Sequence, residues 1–309
     1  MASLQTGTLG TRLAKHLLRR ASYQVSRTRI EEFANMNVSD AVDALMLVPT
    51  PSLSEPIDPV NNQPWINSGI PPESPAFALR DHVKSWWMNE ARQDPSIGHK
   101  MMFFFHSNFV TDVTVFNSYS AFDYLALFRY YATGSFKAVA LKIITDNLML
   151  KYLNGDVNNE TNPNENFARE FLELFTIGKG PQQGPGDYTN YTEEDIQAAA
   201  RLLTGFKKGN RTDNIDADTG IPRGYANPNK HDSTDKQFSY AFQDQIITGS
   251  STAEGMWLEL RDFTEMVFTQ DETARNICRK LYRYFVSRNI STEIETDIIG
   301  PLATHGHLS

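Results

Sequence analysis

The segment 164–175, Asn-Glu-Asn-Phe-Ala-Arg-Glu-Phe-Leu-Glu-Leu-Phe, carries the densest set of charged side chains at helical spacing. Asn166 and Glu170 are four residues apart, and Glu173 follows three residues later, so a helix would place all three on one face. Two carboxylates on one face can ligate a metal ion or position a water for acid–base chemistry. Glu170 and Glu173 are therefore candidate catalytic residues and Asn166 a candidate substrate-binding residue. The same spacing also occurs on ordinary solvated helices.

Two arginines could act with these carboxylates. Arg169 lies four residues from both Glu165 and Glu173, a spacing that favours a row of ion pairs along one helix. Its guanidinium could orient catalytic carboxylates, and Arg201 could bind an anionic substrate group. In the noncatalytic alternative, both arginines pair with Glu165, Glu170 or Glu173 and lock two helices together.

Histidines supply further candidates. His106 follows the apolar run 101–105 and could be a ligand, an acid–base group or a core histidine with satisfied hydrogen bonds. His231 and Asp232 offer nitrogen and oxygen ligands, or they form an Asx-type turn, and Lys236 is a candidate substrate-binding residue. If the protein binds a divalent metal ion, the candidate ligands are Glu170, Glu173, His106, His231 and Asp232.

Several familiar catalytic signatures are missing from the sequence. There is no Walker loop, no Gly-x-Gly-x-x-Gly after a predicted strand, no His-Glu-x-x-His and no Gly-x-Ser-x-Gly. Nucleotide-binding, zinc-protease and serine-hydrolase functions therefore have little support.

Hydrophobic periodicity predicts a mainly α, multi-helical globular array around these residues. Asn162, Pro163 and Glu165 form a predicted helix start, as do Asp94 with the following proline and Thr192. The predicted helices span 11–21, 29–36, 40–47, 76–94, 95–109, 120–132, 135–150, 163–178, 193–205, 253–269, 272–287 and 292–303.

Two irregular segments interrupt this helical pattern. Residues 48–75 contain eight prolines, which exclude a regular helix, and with Trp65 they predict an ordered, extended surface strap. Residues 206–236 form a long polar loop, which in a compact protein is usually functional or mobile. Alternation over 237–247 predicts one small β-hairpin.

Composition sets broader limits. The 309 residues are 40% hydrophobic, which is typical of a globular protein, and we expect a single domain over 1–309. The net charge of −8 argues against nonspecific nucleic-acid binding as the main function. No uncharged apolar run reaches the ~18 residues that a transmembrane helix needs. Without an evident signal peptide, the expected location is cytoplasmic.

The first helix is basic, because Arg12, Lys15, Arg19 and Arg20 all precede the first acidic residue, Glu31. Such a helix could associate with an anionic membrane surface. The alternative is an ordinary helix that buries its leucines in the protein core and leaves its cations in water.

The order of several motifs resembles the bacterial "domain of unknown function 1800" family over residues 12 to 290. The motifs are Leu-Leu-Arg-Arg-Ala at 17–21, Phe-Phe-His-Ser-Asn-Phe at 104–109, Pro-Asn-Glu-Asn-Phe-Ala-Arg-Glu at 163–170, Tyr-Thr-Glu-Glu-Asp at 191–195, Ala-Arg-Leu-Leu-Thr-Gly-Phe at 200–206, and His231-Asp232 followed by Lys236.

The resemblance carries further expectations. Members usually show His-x-His-Phe where this chain has His106 and Asn108, which weakens a two-histidine metal site here. They usually continue beyond the point that corresponds to Ser309, so part of the family domain is expected to be absent. They are frequently encoded beside another exported family, which implies a periplasmic or cell-surface location as the alternative and a protein encoded alongside as a partner.

Two functions compete at this point. One is a noncatalytic partner or scaffold protein of a bacterial surface or export-linked system, with contacts made by the strap around Trp65 and by the loop 206–236. The other is a metal-dependent or acid–base hydrolase-like enzyme that uses the Glu/His/Asp cluster. We favour the first, since nothing in the sequence requires chemistry.

Overall fold

A computed structural model describes residues 5–48 and 54–305. The chain divides into two compact units, Met1–Gly134 with Leu281–Asn289, and Ser135–Lys280 with Ile290–Ser309. The single-domain organisation stays a prediction, because a compact unit need not be a separate folding domain. Both units are mainly helical, as the periodicity predicts. None of the helices in the described ranges is long and apolar enough to cross a membrane.

The described part of the first unit contains six complete helices and a short strand pair. The helices are α1 (Gly10–Ala21), α2 (Arg27–Ala34), α3 (Val38–Met46), α4 (Ala76–Gln93), α5 (Gly98–Asn108) and α6 (Ser118–Tyr130). Leu18, Phe33 and Leu45 from the first three helices form one buried cluster. Leu18 of the basic helix α1 is therefore buried, and Leu13 and Leu17 pack half-buried against the cluster, in line with the ordinary-helix alternative.

The proline-rich strap contains no helix over its described residues 54–75, in agreement with the prediction. It forms β1 (Ile57–Asp58) and β2 (Gln63–Pro64), which pair antiparallel. Its residues 49–53 lie outside the described ranges. Trp65 is only 2% exposed and its indole nitrogen donates to Ser118 Oγ, 3.3 Å away. The Trp65 side chain is therefore a core residue that holds the strap against α6, and a contact surface formed by the strap around it stays a prediction.

The second unit contains the helices that carry most of the candidate residues. They are α7 (Phe136–Ile143), α8 (Asn147–Tyr152), α9 (Glu165–Glu170), α10 (Glu193–Leu202), α11 (Ala253–Phe268), α12 (Asp271–Phe285, whose last turn belongs to the first unit), α13 (Thr292–Ile294) and α14 (Gly300–His305). The single helix expected over 135–150 is wrong, because α7 ends at Ile143 and Asp146 caps a new helix, α8, by accepting from Met149 N.

Four further strands make two small antiparallel pairs in this unit. β3 (Phe206–Lys207) pairs with β4 (Tyr225–Ala226), and β5 (Lys236–Gln237) pairs with β6 (Ile246–Ile247). The second pair is the hairpin predicted at 237–247, and the first lies inside the segment expected to be irregular. Phe171 and Phe238 both pack on Phe263 of α11, with ring centroids 5.3 and 5.8 Å apart. This aromatic core holds α11 against the candidate segments.

Helix starts follow local hydrogen bonding. Thr192 caps α10 in a capping box closed by Asp195, as predicted. The cap of α9 is Asn164 rather than Asn162, because the Asn164 side chain accepts from Asn166 N. The predicted cap Asp94 is also wrong. It follows α4, and its carboxylate accepts from the backbone N–H and hydroxyl of Ser96 and contacts His99 in the first turn of α5, whose N-cap is Ile97.

Candidate functional site

Arg169 lies between carboxylates, and one of them, Glu165, is a partner that the helical spacing predicts. Its guanidinium donates to both oxygens of Glu193, at 2.7 and 3.2 Å, and to Glu165 Oε2 at 3.2 Å. Glu193 begins α10, so this contact ties α9 to α10. The pKa of Arg169 is raised by hydrogen bonds from its guanidinium to Glu193. The guanidinium is therefore occupied, and its main partner is an acid that the sequence analysis did not nominate.

Glu173 is also engaged with other side chains. The helix continues from α9 as one π-helical turn, Phe171–Phe175, and Thr176 N donates to Phe171 O in the i to i+5 pattern of such a turn. Glu173 Oε1 lies 2.6 Å from Lys179 Nζ, and Tyr191 donates its hydroxyl to Oε2 at 3.1 Å. Burial, then the charge of Glu173, raises the pKa of Tyr191.

Glu170 differs from its neighbours. It is half-buried, and its carboxylate makes no hydrogen bond to any described residue. Burial raises its pKa, and the negative charge of Glu173 raises it further. Asn166, expected on the same face, has an exposed side chain and donates its backbone N–H to Asn164. A half-buried carboxyl group of raised pKa, one helical turn from a second glutamate, is an arrangement that suits proton transfer.

The π turn alters the apolar face of this helix. Regular spacing predicts burial of Phe167, Phe171 and Leu174. The first two are buried, but Leu174 is 51% exposed, and Leu172 and Phe175 lie in the core instead. The extra residue in the turn rotates every later side chain around the axis, which explains the difference.

His231 and Lys236 meet around a carboxylate that the sequence analysis missed. Glu259 of α11 accepts from Lys236 Nζ at 2.5 Å through Oε2, and His231 Nε2 lies 3.1 Å from Oε1. Ser250 N donates to Oε1 at 2.7 Å. The His231 and Lys236 side chains are 0% exposed and that of Glu259 is 2% exposed. The cluster joins the end of the long loop to α11 and has no access to solvent.

Asp232 points the other way, toward α10. Arg201 Nε donates to Asp232 Oδ2 at 2.7 Å, and the same guanidinium contacts Thr234. Burial opposes ionisation of Asp232, but hydrogen bonds from Arg201 and Thr234 outweigh it and lower the pKa. The expected pairing of Arg201 with Glu165, Glu170 or Glu173 is replaced by this pair. Arg201 therefore anchors the loop rather than binding one of those acids.

Thr204 and Gly205 allow this close approach. The Thr204 hydroxyl donates to Arg201 O and accepts from Asp232 N, while His231 Nδ1 lies 2.8 Å from Thr204 O. Gly205 has φ +81°, and a Cβ there would meet Asn227 O at 2.8 Å. Only glycine combines that backbone conformation with that space, so the predicted helix stop also lets the loop pack on α10.

His106 lies in the first unit, on α5. It packs edge-on against Trp87 at 5.7 Å and Tyr124 at 5.8 Å between ring centroids. Tyr124 donates its hydroxyl to Phe109 O, so the 3.0 Å contact with His106 Nδ1 makes the imidazole the donor. Burial lowers the pKa of His106. His106 is half-buried, and donation by Nδ1 leaves Nε2 without the proton in the neutral ring.

The predicted metal ligands do not form a binding cluster in the described residues. Residues 5–48 and 54–305 contain no group of three or more His, Cys, Asp or Glu side chains that could hold a metal ion. The five predicted ligands therefore do not form one such group. The catalytic and substrate-binding roles of the individual residues stay predictions.

Sequence reasoning also missed a buried polar cluster in the first unit. Asp94 Oδ2 lies 2.7 Å from His99 Nδ1 and 3.7 Å from Arg129 Nη2, and all three side chains are at least nine-tenths buried. Burial opposes ionisation of Asp94, but hydrogen bonds from His99 and Ser96 outweigh it and lower the pKa. Asp94 and His99 are only five residues apart, but Arg129 comes from α6, so no local pattern could have indicated the whole cluster.

A family model described as "Protein of unknown function (DUF1800)" matches residues 16–305. Comparisons with curated proteins and with solved structures gave no match. The matched residues cover most of the chain and include every candidate residue described above. The chain therefore belongs to the DUF1800 family.

Proposed function

We propose that this chain is a noncatalytic partner or scaffold protein of a bacterial surface or export-linked system, and that the loop 206–236 presents its contact surface. The observation that carries the proposal is the enclosure of His231, Lys236 and Glu259. Side chains with no solvent access cannot meet a substrate. They are suited to holding the loop in one conformation.

Further anchors support a preorganised surface at the tip of the loop. Lys142 donates to Asp216 and Asp218, at 2.6 Å each, and Asp216 is only 4% exposed. Asp216 N donates to Ile221 O at 2.9 Å, which closes a tight turn. Ile215 remains 42% exposed beside these anchors. A rigid loop that exposes an apolar side chain loses little conformational entropy on binding.

The test uses the proteins encoded next to this chain as probes in biolayer interferometry. We expect one of them to bind, and we expect Ile215→Asp to weaken binding roughly tenfold or more, as removal of a central apolar contact does. Leu258→Asp is the matched control, because Leu258 is 44% exposed on α11 and lies outside the loop. Absence of binding by every neighbour, or equal effects of the two variants, would contradict the proposal.

An acid–base hydrolase-like enzyme is the second candidate, and Glu170 is the specific observation in its favour. Its half-buried carboxyl group has a raised pKa and lies at the start of a π turn, a feature common at functional sites. Hydrolysis of chromogenic ester or glycoside substrates by the wild type, lost in Glu170→Gln with unchanged melting, would favour the enzyme. A metal-dependent version further requires bound metal in elemental analysis or a melting shift with Mn²⁺, Mg²⁺, Ca²⁺ or Zn²⁺.

A further inference from the structure

A lysine-lined cleft of about 500 Å³ opens in the second unit where the long loop begins. Lys207, Lys208 and Lys230 line it together with one carboxylate, Asp156. Three ammonium groups and one carboxylate leave a local charge of 3 − 1 = +2. The net charge of the whole chain is −8, so the local charge of the cleft has the opposite sign.

Lys207 is held in place at the floor of the cleft. Its ammonium group donates to the backbone carbonyls of Asp156 at 2.8 Å and Asn158 at 3.1 Å. An ammonium group has three N–H donors, so one is left for a ligand. Burial lowers the pKa of Lys207; Asp156 acts in the opposite direction, and repulsion from Lys230 adds to the lowering. An anion between Lys207 and Lys230 would relieve that repulsion.

The charges in the cleft are only partly compensated. Asp156 Oδ2 lies 2.8 Å from Lys208 Nζ, and the Asp156 side chain is 9% exposed. Its other carboxylate oxygen is buried without a hydrogen-bond partner in the described residues. Lys230 is exposed and forms no ion pair within those same residues. The buried carboxylate thus neutralises one lysine and leaves the others to an external anion.

Neutral polar groups line the same space. Tyr225 is the antiparallel partner of Lys207 in the β3–β4 pair, so both side chains project from one face. Asn227 accepts from Asn229 N through Oδ1 and makes no hydrogen bond with Nδ2 to a described residue. Thr161 also lines the cleft, but its hydroxyl donates to Asn159 Oδ1 at 2.5 Å and is therefore already used. The Asn227 amide and the Tyr225 hydroxyl can donate to the oxygens of a bound oxyanion.

We propose that this cleft binds a phosphate monoester group through Lys207 and Lys230, with the Asn227 amide as a neutral donor. A phosphate monoester carries close to two negative charges at neutral pH, which matches the local +2, whereas a carboxylate carries one. Lysine binds phosphate well as a compact point charge. The site is separate from the loop tip at Ile215 and does not depend on the partner role proposed above.

Isothermal titration of the full chain with inorganic phosphate, at ionic strength held constant with NaCl, tests the proposal. We expect saturable binding, weakened about fivefold by Lys230→Gln, the effect of removing one partly exposed charge contact. Hydrogen exchange should slow at 225–230 when phosphate is added. Lys230 is a surface residue, so the substitution leaves the buried contacts of Lys207 intact.

Lys84→Gln is the matched control, because Lys84 is 46% exposed and lies in the first unit. It removes the same charge from the chain and should leave the phosphate affinity unchanged. The proposal fails if phosphate shows no saturable binding, if the two lysine variants weaken it equally, or if acetate binds as tightly as phosphate.

Discussion

Lys236 Nζ lies 2.5 Å from Glu259 Oε2 at a place where neither side chain meets solvent. The lysine comes from the end of the long loop and the glutamate from α11, 23 residues later. Because a buried charge is costly unless it is paired, the two side chains require each other. The pair therefore fixes where the loop ends.

Glu259→Gln should lower the free energy of unfolding by about 3–5 kcal/mol, because it leaves the buried Lys236 without its counter-charge. Urea unfolding followed by circular dichroism measures the loss. Asp262→Asn is the control on the same helix; Asp262 is 54% exposed, and we expect a change of about 0.5 kcal/mol or less. If the two variants unfold at the same urea concentration, the buried pair does not stabilise the fold.

Glu170 and Glu173 should give opposite changes in melting temperature. The folded-state pKa of Glu170 is raised, so its contribution to stability is present at low pH and lost as pH rises through that pKa. Glu170→Gln should therefore raise the melting temperature at pH 7 by about 1 °C or more. The gain should disappear near pH 4, where the wild-type carboxyl group is protonated.

Glu173→Gln should lower the melting temperature by roughly 2 °C, since it removes the partner of Lys179 and Tyr191. The two glutamates are one helical turn apart, so each variant is the control for the other. Destabilisation by both variants would mean that Glu170 has a stabilising partner. Stabilisation by both would mean that the Glu173 contacts contribute nothing.

Acidification should destabilise the first unit through His106. Burial lowers its folded-state pKa, so its contribution to stability is present above the unfolded-state pKa and lost as pH falls through it. That unfolded-state pKa is about 6.5. Between pH 7.5 and 5.5 the wild type should lose more stability than His106→Asn, measured by urea unfolding. Parallel losses in the two proteins would show that His106 titrates normally.

The sequence predicted most of the helices because their capping and apolar spacing are local. Thr192 with Asp195 and the stretch after Ser251 are examples, because α10 and α11 begin at the expected residues, Glu193 and Ala253. Tertiary contacts were beyond its reach. Trp65 helped to predict an ordered strap, but not that its ring is buried and bonded to a serine 53 residues away. No spacing rule can foresee such a contact.

The candidate site was predicted only in its parts. The sequence singled out four of the polar groups that hold the long loop in place: His231, Asp232, Lys236 and Arg201. Their partners could not be deduced, because Glu259 stands on an otherwise ordinary amphipathic helix. The sequence thus indicated where polar chemistry is concentrated, but not that most of these charges face one another.

The central claim is that paired charges hold the loop 206–236 as one rigid surface, and hydrogen–deuterium exchange tests it most directly. The backbone N–H of Gly209, Gly224 and Asp232 donates to Asn147, Thr145 and Thr204. We expect these three amides to exchange as slowly as those of α11, and Arg201→Gln to speed only the region around Asp232. Loop amides that exchange at unprotected rates in the wild type, while α11 stays protected, would contradict the account.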